Sequence, residues 1–144
     1  MSKIGARFKY LDQPIFCLCV LKDYVLIASG GGGAKFAVRN QILSYKISDN
    51  KFSDKCCHYT EFENEIPVFI CSYEAGNIFC TCIDNITVFY SLDLKSGVFR
   101  EIHRFKISNF CDADVYQSVC RLDNQGRLFA SGTTDGMLKY IKIN

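Results

Sequence analysis

Val25-Leu-Ile-Ala-Ser-Gly-Gly-Gly-Gly-Ala-Lys-Phe-Ala-Val-Arg-Asn-Gln-Ile-Leu-Ser-Tyr-Lys-Ile47 opens as an apolar strand and runs into four consecutive glycines. It passes a basic, partly apolar loop ending at Asn40 and leaves as a second alternating strand. A plain β-hairpin closes with about two to five loop residues. Here the connection runs from Gly30 to Asn40, so something has been built into it. Glycine reaches left-handed and mirror-β angles that cost other residues strain, so the run predicts a backbone able to turn carbonyls or amides toward a bound ion or partner.

Working outward, the same two-strand pattern recurs. Ile78-Phe-Cys-Thr-Cys and Leu128-Phe-Ala-Ser-Gly match Val25-Leu-Ile-Ala-Ser as second strands of a set. Each leads through a turn to a third strand: Ile86-Thr-Val-Phe-Tyr and Met137-Leu-Lys-Tyr-Ile-Lys match Ile42-Leu-Ser-Tyr-Lys-Ile. Helical periodicity is nearly absent, and short apolar alternations bounded by Gly, Asn, Asp and Ser predict an all-β chain. The predicted strands are 16–21, 24–29, 41–47 and 58–62; 68–73, 77–83, 87–92 and 98–105; and 118–122, 127–131 and 137–143. A repeat of roughly 50 residues is the length of a four-stranded propeller blade. The expectation is a WD40-like β-propeller fragment of about two and three-quarter antiparallel blades, spanning 15–62, 67–106 and 117–144 as one partial domain. Propellers close with about four to eight blades, so the chain reads as the N-terminal part of a larger one, its open edges and apolar faces inviting self-association. Asp84-Asn85 and Asp135-Gly136 suit tight turns, so only the first hairpin carries a long loop.

Composition narrows the function. The chain has 144 residues with 49% hydrophobic content, ample for a core. A formal charge of +2 points to no nucleic-acid or acidic-membrane partner. The N-terminus lacks an apolar signal region, and no segment approaches the ~20 apolar residues of a membrane helix, so a soluble cytosolic chain is expected. The nine cysteines are odd in number and several lie in apolar strands, which favours buried free thiols over disulfides.

Familiar chemical motifs fail on spacing. Counting from Gly30, Lys35 stands where a phosphate-binding P-loop needs its second glycine and where a dinucleotide fingerprint needs its third. Cys17/Cys19 and Cys80/Cys82 each share a strand face, and Cys56-Cys57-His58 adjoins a ligand type, but the paired spacing of a zinc site is absent. His103 is expected on the same face as Phe99, Glu101 and Phe105, as a structural or surface residue. Asp112 and Asp114 read as loop-capping residues, and no nucleophile motif or acid pair is present. The excess length favours an ion- or partner-binding loop; a hairpin tip without a role is the alternative.

Ala28-Ser-Gly-Gly-Gly-Gly-Ala-Lys followed by Val38-Arg-Asn40 and an alternating strand resembles the first blade of the WD40-propeller guanine-nucleotide exchange factors for the Sar small GTPase. The ending Leu128-Phe-Ala-Ser-Gly-Thr-Thr-Asp-Gly-Met-Leu-Lys-Tyr-Ile is similar to a generic WD40 hairpin. The likeness covers the chain loosely, and the glycine loop is its specific part. It implies a propeller on the cytosolic face of the endoplasmic reticulum, held by a membrane anchor that follows it. The first-blade loop of the family is braced by a potassium ion and inserts at the nucleotide site of the GTPase, releasing GDP and starting COPII vesicle formation. Carried over, Gly30, Gly31, Gly32 and Gly33 give the ion-wrapping backbone and Asn40 the loop asparagine. Val38 takes the place of an apolar loop-tip residue, with Asn40 the other exchange residue, while Lys35 and Arg39 favour an acidic or phosphate-bearing partner. The residue before Val38, a glycine in the family, is Ala37 here, and the loop is about one residue shorter. A non-catalytic WD40 interaction scaffold is the alternative function.

Overall fold

Strands β1 (Ile15–Leu21), β2 (Tyr24–Ser29) and β3 (Asn40–Ser48) form an antiparallel sheet that β5 (His58–Phe62) completes along the far edge of β3. The short β4 (Lys51–Phe52) pairs with the end of β3 beyond β5. A second sheet runs β6 (Pro67–Tyr73), β7 (Ile78–Ile83), β8 (Ile86–Leu92) and β9 (Phe99–Lys106); a third runs β10 (Gln117–Leu122), β11 (Leu128–Thr133) and β12 (Leu138–Lys142). These elements come from a computed structural model that describes residues 9–31, 37–63, 65–107 and 115–143. The expected strands are all present within one or two residues of their ends, and β4 is an addition. Asp112 and Asp114 lie outside the described residues.

The sheets stack because their strands alternate apolar residues to both sides. One core joins the first two sheets: Leu21, Leu26 and Ile42 meet Phe79, Val88 and Tyr90. A second joins the last two: Cys80, Cys82 and Phe89 meet Cys120 and Phe129. The inner strands β7 and β8 of the middle sheet are therefore buried on both faces, while its edge strand β9 is largely exposed. The first strands β1, β6 and β10 touch in turn, which puts them on the inner side of the stack. A third apolar cluster, Val25, Ile27, Leu43 and Tyr45 under Leu11, Ile47 and Phe52, covers part of the outer face of the first sheet, and both ends of the stack keep exposed apolar residues. Leu18 and Val20 are 53% and 58% exposed on the first sheet, and Leu138 and Tyr140 are 77% and 71% exposed on the third.

A buried polar pin fastens the second sheet to the third. The Gln117 side-chain oxygen accepts hydrogen bonds from Thr87 Oγ1 at 2.8 Å and Ser131 Oγ at 2.9 Å. Its amide nitrogen donates to the Asp84 carbonyl at 3.4 Å. Such a network is worth keeping only when satisfied, because an unpaired amide in the interior costs about 1–3 kcal/mol.

One expectation about faces is corrected. The pairing of β8 with β9 slips between Phe89 and Tyr90, matching them to His103 and Glu101 and leaving Ile102 as the extra residue of a bulge. The slip reverses the alternation. Phe99 points into the first core beside Phe79 and Tyr90, whereas His103 and Phe105 lie on the opposite face with Phe89.

Candidate functional site

The loop between β2 and β3 occupies residues 30–39, against 84–85 between β7 and β8 and 134–137 between β11 and β12. Its neck is closed by contacts across the chain. The Gly30 N–H donates to the Pro14 carbonyl at 3.1 Å, tying the loop to the segment before β1. The Gly31 N–H donates to Asn40 Oδ1 at 3.2 Å. Asn40 is fully buried at the first position of β3, opposite Phe62 of β5. Arg39 Nη1 pairs with Glu61 Oε1 at 2.8 Å on the surface.

These contacts revise the role of the glycines. Gly30 and Gly31 are not in the left-handed region; it is Ala37 that takes φ +55°. They are required instead for close approach. A Cβ on Gly30 would run into Asn40 Oδ1, and one on Gly31 would stand 2.9 Å from Val38 Cγ1. Val38, expected at the tip, is half-buried at the neck facing Gly31. Arg39, expected to greet an acidic partner, already has an acidic neighbour in Glu61. Gly32, Gly33 and Lys35 lie outside the described residues. The structure thus brings Gly30, Gly31, Val38 and Asn40 together as a neck, beside a depression of about 350 Å³ lined by Ala37, Val38, Arg39 and Phe62.

The potassium expectation can be tested on donor chemistry. The described neck offers the neutral amide oxygen of Asn40, and the depression beside it is also lined by the carboxylates of Glu61, paired with Arg39, and Glu63. That set supplies oxygen ligands of the kind a hard cation takes. Asn40 Oδ1 already accepts the Gly31 N–H, which fixes its amide over the glycines. The residues fit; Asn40 and the carbonyls of Gly30 and Gly31 would hold such an ion, which would stiffen the loop.

Sequence reasoning missed a second assembly. Cys71 on β6 and Cys80 on β7 are register partners, and Cys120 of β10 reaches them from the next sheet. Cys71 Sγ lies 3.2 Å from Cys80 Sγ and 3.7 Å from Cys120 Sγ, all three residues being buried. Hydrogen bonding to Cys120, with burial, pushes the Cys71 thiol up to about 12. The thiol of Cys19 on β1 is likewise raised to about 12 by burial. No local spacing announces the cluster, because it needs strand register and sheet stacking to exist. An apolar cleft of about 590 Å³ opens between β9 and β12, lined by Phe89, Phe105, Ile141 and Ile143 with His103 at its wall.

No protein-family profile and no curated protein matches the chain. Solved structures do. A protein from Lactobacillus plantarum superposes with a TM-score of 0.68 at 15% identity, over 90% of this chain and 41% of that one. A protein described as a putative 6-phosphogluconolactonase from Bacteroides uniformis gives 0.68 at 12% identity, over 92% and 38%. The β-propeller domain of Cps50 (Swd1) from Myceliophteria thermophila gives 0.62 at 10% identity, over 92% and 44%. The chain spans about two fifths of the length of these structures. At such identities the likeness is one of fold: the chain is all-β, and its antiparallel sheets stack as the blades of a β-propeller do.

Proposed function

We propose that this chain is a WD40-type interaction platform whose β2–β3 loop engages a Sar-type small GTPase and promotes release of its bound nucleotide. The observation that carries this reading is the loop itself: residues 30–39 replace a tight turn in one hairpin only, on a neck braced by Asn40 and Gly31. A loop on a fixed neck loses less entropy when it engages a partner, which is how a loop gains from pre-organisation. The activity is non-covalent. A loop that binds the nucleotide-free GTPase better than the loaded one shifts the GTPase toward release, by no more than that difference in affinity. In this reading Asn40 and Val38 hold the loop in shape, Lys35 and Arg39 face the partner, and a potassium ion stiffens the glycine backbone. The setting is the cytosolic face of the endoplasmic reticulum, where the reaction starts COPII assembly. No helix among the described residues is long and apolar enough to cross a membrane.

The test is GDP release from a Sar-type GTPase with and without the protein, in potassium and in sodium. Acceleration that falls on Asn40→Ala supports the proposal; no acceleration overturns it. A non-catalytic scaffold is the second reading, favoured by the apolar ends of the stack at Leu18, Val20, Leu138 and Tyr140. Those faces also support self-association, which light scattering checks: a monomer at all concentrations removes that partner.

A further inference from the structure

We propose that Cys71, Cys80 and Cys120 form a three-sulfur site for a soft monovalent ion of the Cu(I) type, on the seam between the second and third sheets. The three sulfurs all lie within 4.8 Å of one another. A metal–sulfur distance of about 2.3 Å, the value for zinc thiolates, sets three sulfurs about 4.0 Å apart in a trigonal plane. The observed separations of 3.2 and 3.7 Å open to that spacing by a few tenths of an ångström to under an ångström. Cys120 stands on a different sheet, so a small parting of the sheets opens its 3.7 Å separation and a way in, while the 3.2 Å separation between the register partners Cys71 and Cys80 opens by rotation of those two side chains about χ1.

The ligand set chooses the ion. Among the described residues no histidine, aspartate, glutamate or fourth cysteine joins the group. Structural zinc is almost always four-coordinate, whereas thiolate-only, water-free surroundings select Cu(I). The shell is dry: Phe89, Phe129 and Ile107 pack in the same core. A single positive charge is the least costly to bury there, since each added charge must be desolvated. On binding, the ion replaces at least one thiol proton, which passes to solvent, and no electron is transferred. The site is independent of the β2–β3 loop and of any role assigned to it.

The test is an anaerobic titration of the reduced, full chain with Cu(I), read by bound copper per chain, by melting temperature and by X-ray absorption of the wild type. We expect saturation at one ion, a rise in melting temperature from binding to the native state, and a first shell of sulfur alone. Cys120→Ala should lose about 100-fold or more in affinity and the melting shift with it, while Cys17→Ala retains both. A melting temperature unmoved or lowered by copper overturns the site, as does a shift that survives Cys120→Ala. An equal rise with Zn(II) overturns the choice of ion. Should Cys120→Ala fail to fold, nitrogen or oxygen in the wild-type copper shell decides against the proposal, and sulfur alone decides for it.

Discussion

The β2–β3 and β7–β8 connections join equivalent strands of adjacent sheets, yet one takes residues 30–39 and the other only 84–85. The short one is solved locally. Asp84 adopts φ +50° and the chain reverses at once. The long one is solved at a distance, by Gly30 against Asn40 and Gly31 against Val38 across the neck. A connection that only had to reverse the chain would need the first solution. The second closes a neck by contacts between Gly30, Gly31, Val38 and Asn40, and those contacts make the neck separable from the core beneath it.

The largest predicted effect removes what the two hairpins share. Phe79 is fully buried between the first two sheets, stacked on Tyr90 at 5.0 Å and edge-on to Phe99 at 5.2 Å. Phe79→Ala should cost about 3–5 kcal/mol in urea unfolding and weaken amide protection in both hairpins alike. Loss confined to β7–β8 would show that the first hairpin does not lean on that core.

A smaller effect separates them. Gly30→Ala forces a methyl group against Asn40 Oδ1 and should cost about 1–3 kcal/mol, with amide protection lost first around Gly31 and Asn40 and retained at Ile83 and Ile86. A neutral substitution would mean the neck opens freely.

The contrast also explains what was legible in the sequence. Strands such as Tyr24–Ser29 and His58–Phe62 follow from alternation and turn residues, which are local signals, and the unequal loop lengths could be counted directly. The bulge at Ile102 was not legible, because a one-residue slip leaves no mark in the alternation until partners are paired. The neck was half legible. Asn40 and the glycines stood out, but their use in close approach rather than in left-handed turning depends on Asn40 folding back over Gly30. The Gln117 pin and the three-cysteine cluster join strands of different sheets and could not be read from spacing at all.

Ala37 sharpens the comparison further. Like Asp84 it sits at positive φ, at +55° and +50° respectively. A left-handed L-residue costs about 1–2 kcal/mol, and glycine returns about 0.5–1 kcal/mol of that through the unfolded chain. Ala37→Gly and Asp84→Gly should therefore each stabilise by about 0.5–1 kcal/mol in urea unfolding. A gain at Asp84 with a loss at Ala37 would mean that the long loop draws on its alanine for more than backbone geometry.

The smallest effect is a pH dependence that the neck should lack. The Asp123 carboxylate accepts N–H bonds from Arg127 at 2.6 Å and Leu128 at 2.8 Å in the β10–β11 turn. Those bonds, the one from Leu128 first, hold its carboxyl below the ordinary range. A depressed folded value stabilises above the ordinary carboxylate pKa, and the contribution fades as pH falls through the folded value. Asp123→Asn should therefore melt below the wild type at neutral pH and converge with it in acid. The neck, braced by the neutral Asn40 amide, should give an Asn40→Ala difference of the same size at both pH values.

The most direct test exchanges one connection for the other. Residues 30–40, which stand between the register partners Ser29 and Gln41, are replaced by Asp-Asn, which stands between the register partners Ile83 and Ile86, and GDP release from a Sar-type GTPase is measured for both proteins beside their melting curves. The account predicts that the wild type accelerates release and that the short-turn protein folds, melts at a similar temperature and accelerates nothing. Acceleration that survives the exchange would contradict it.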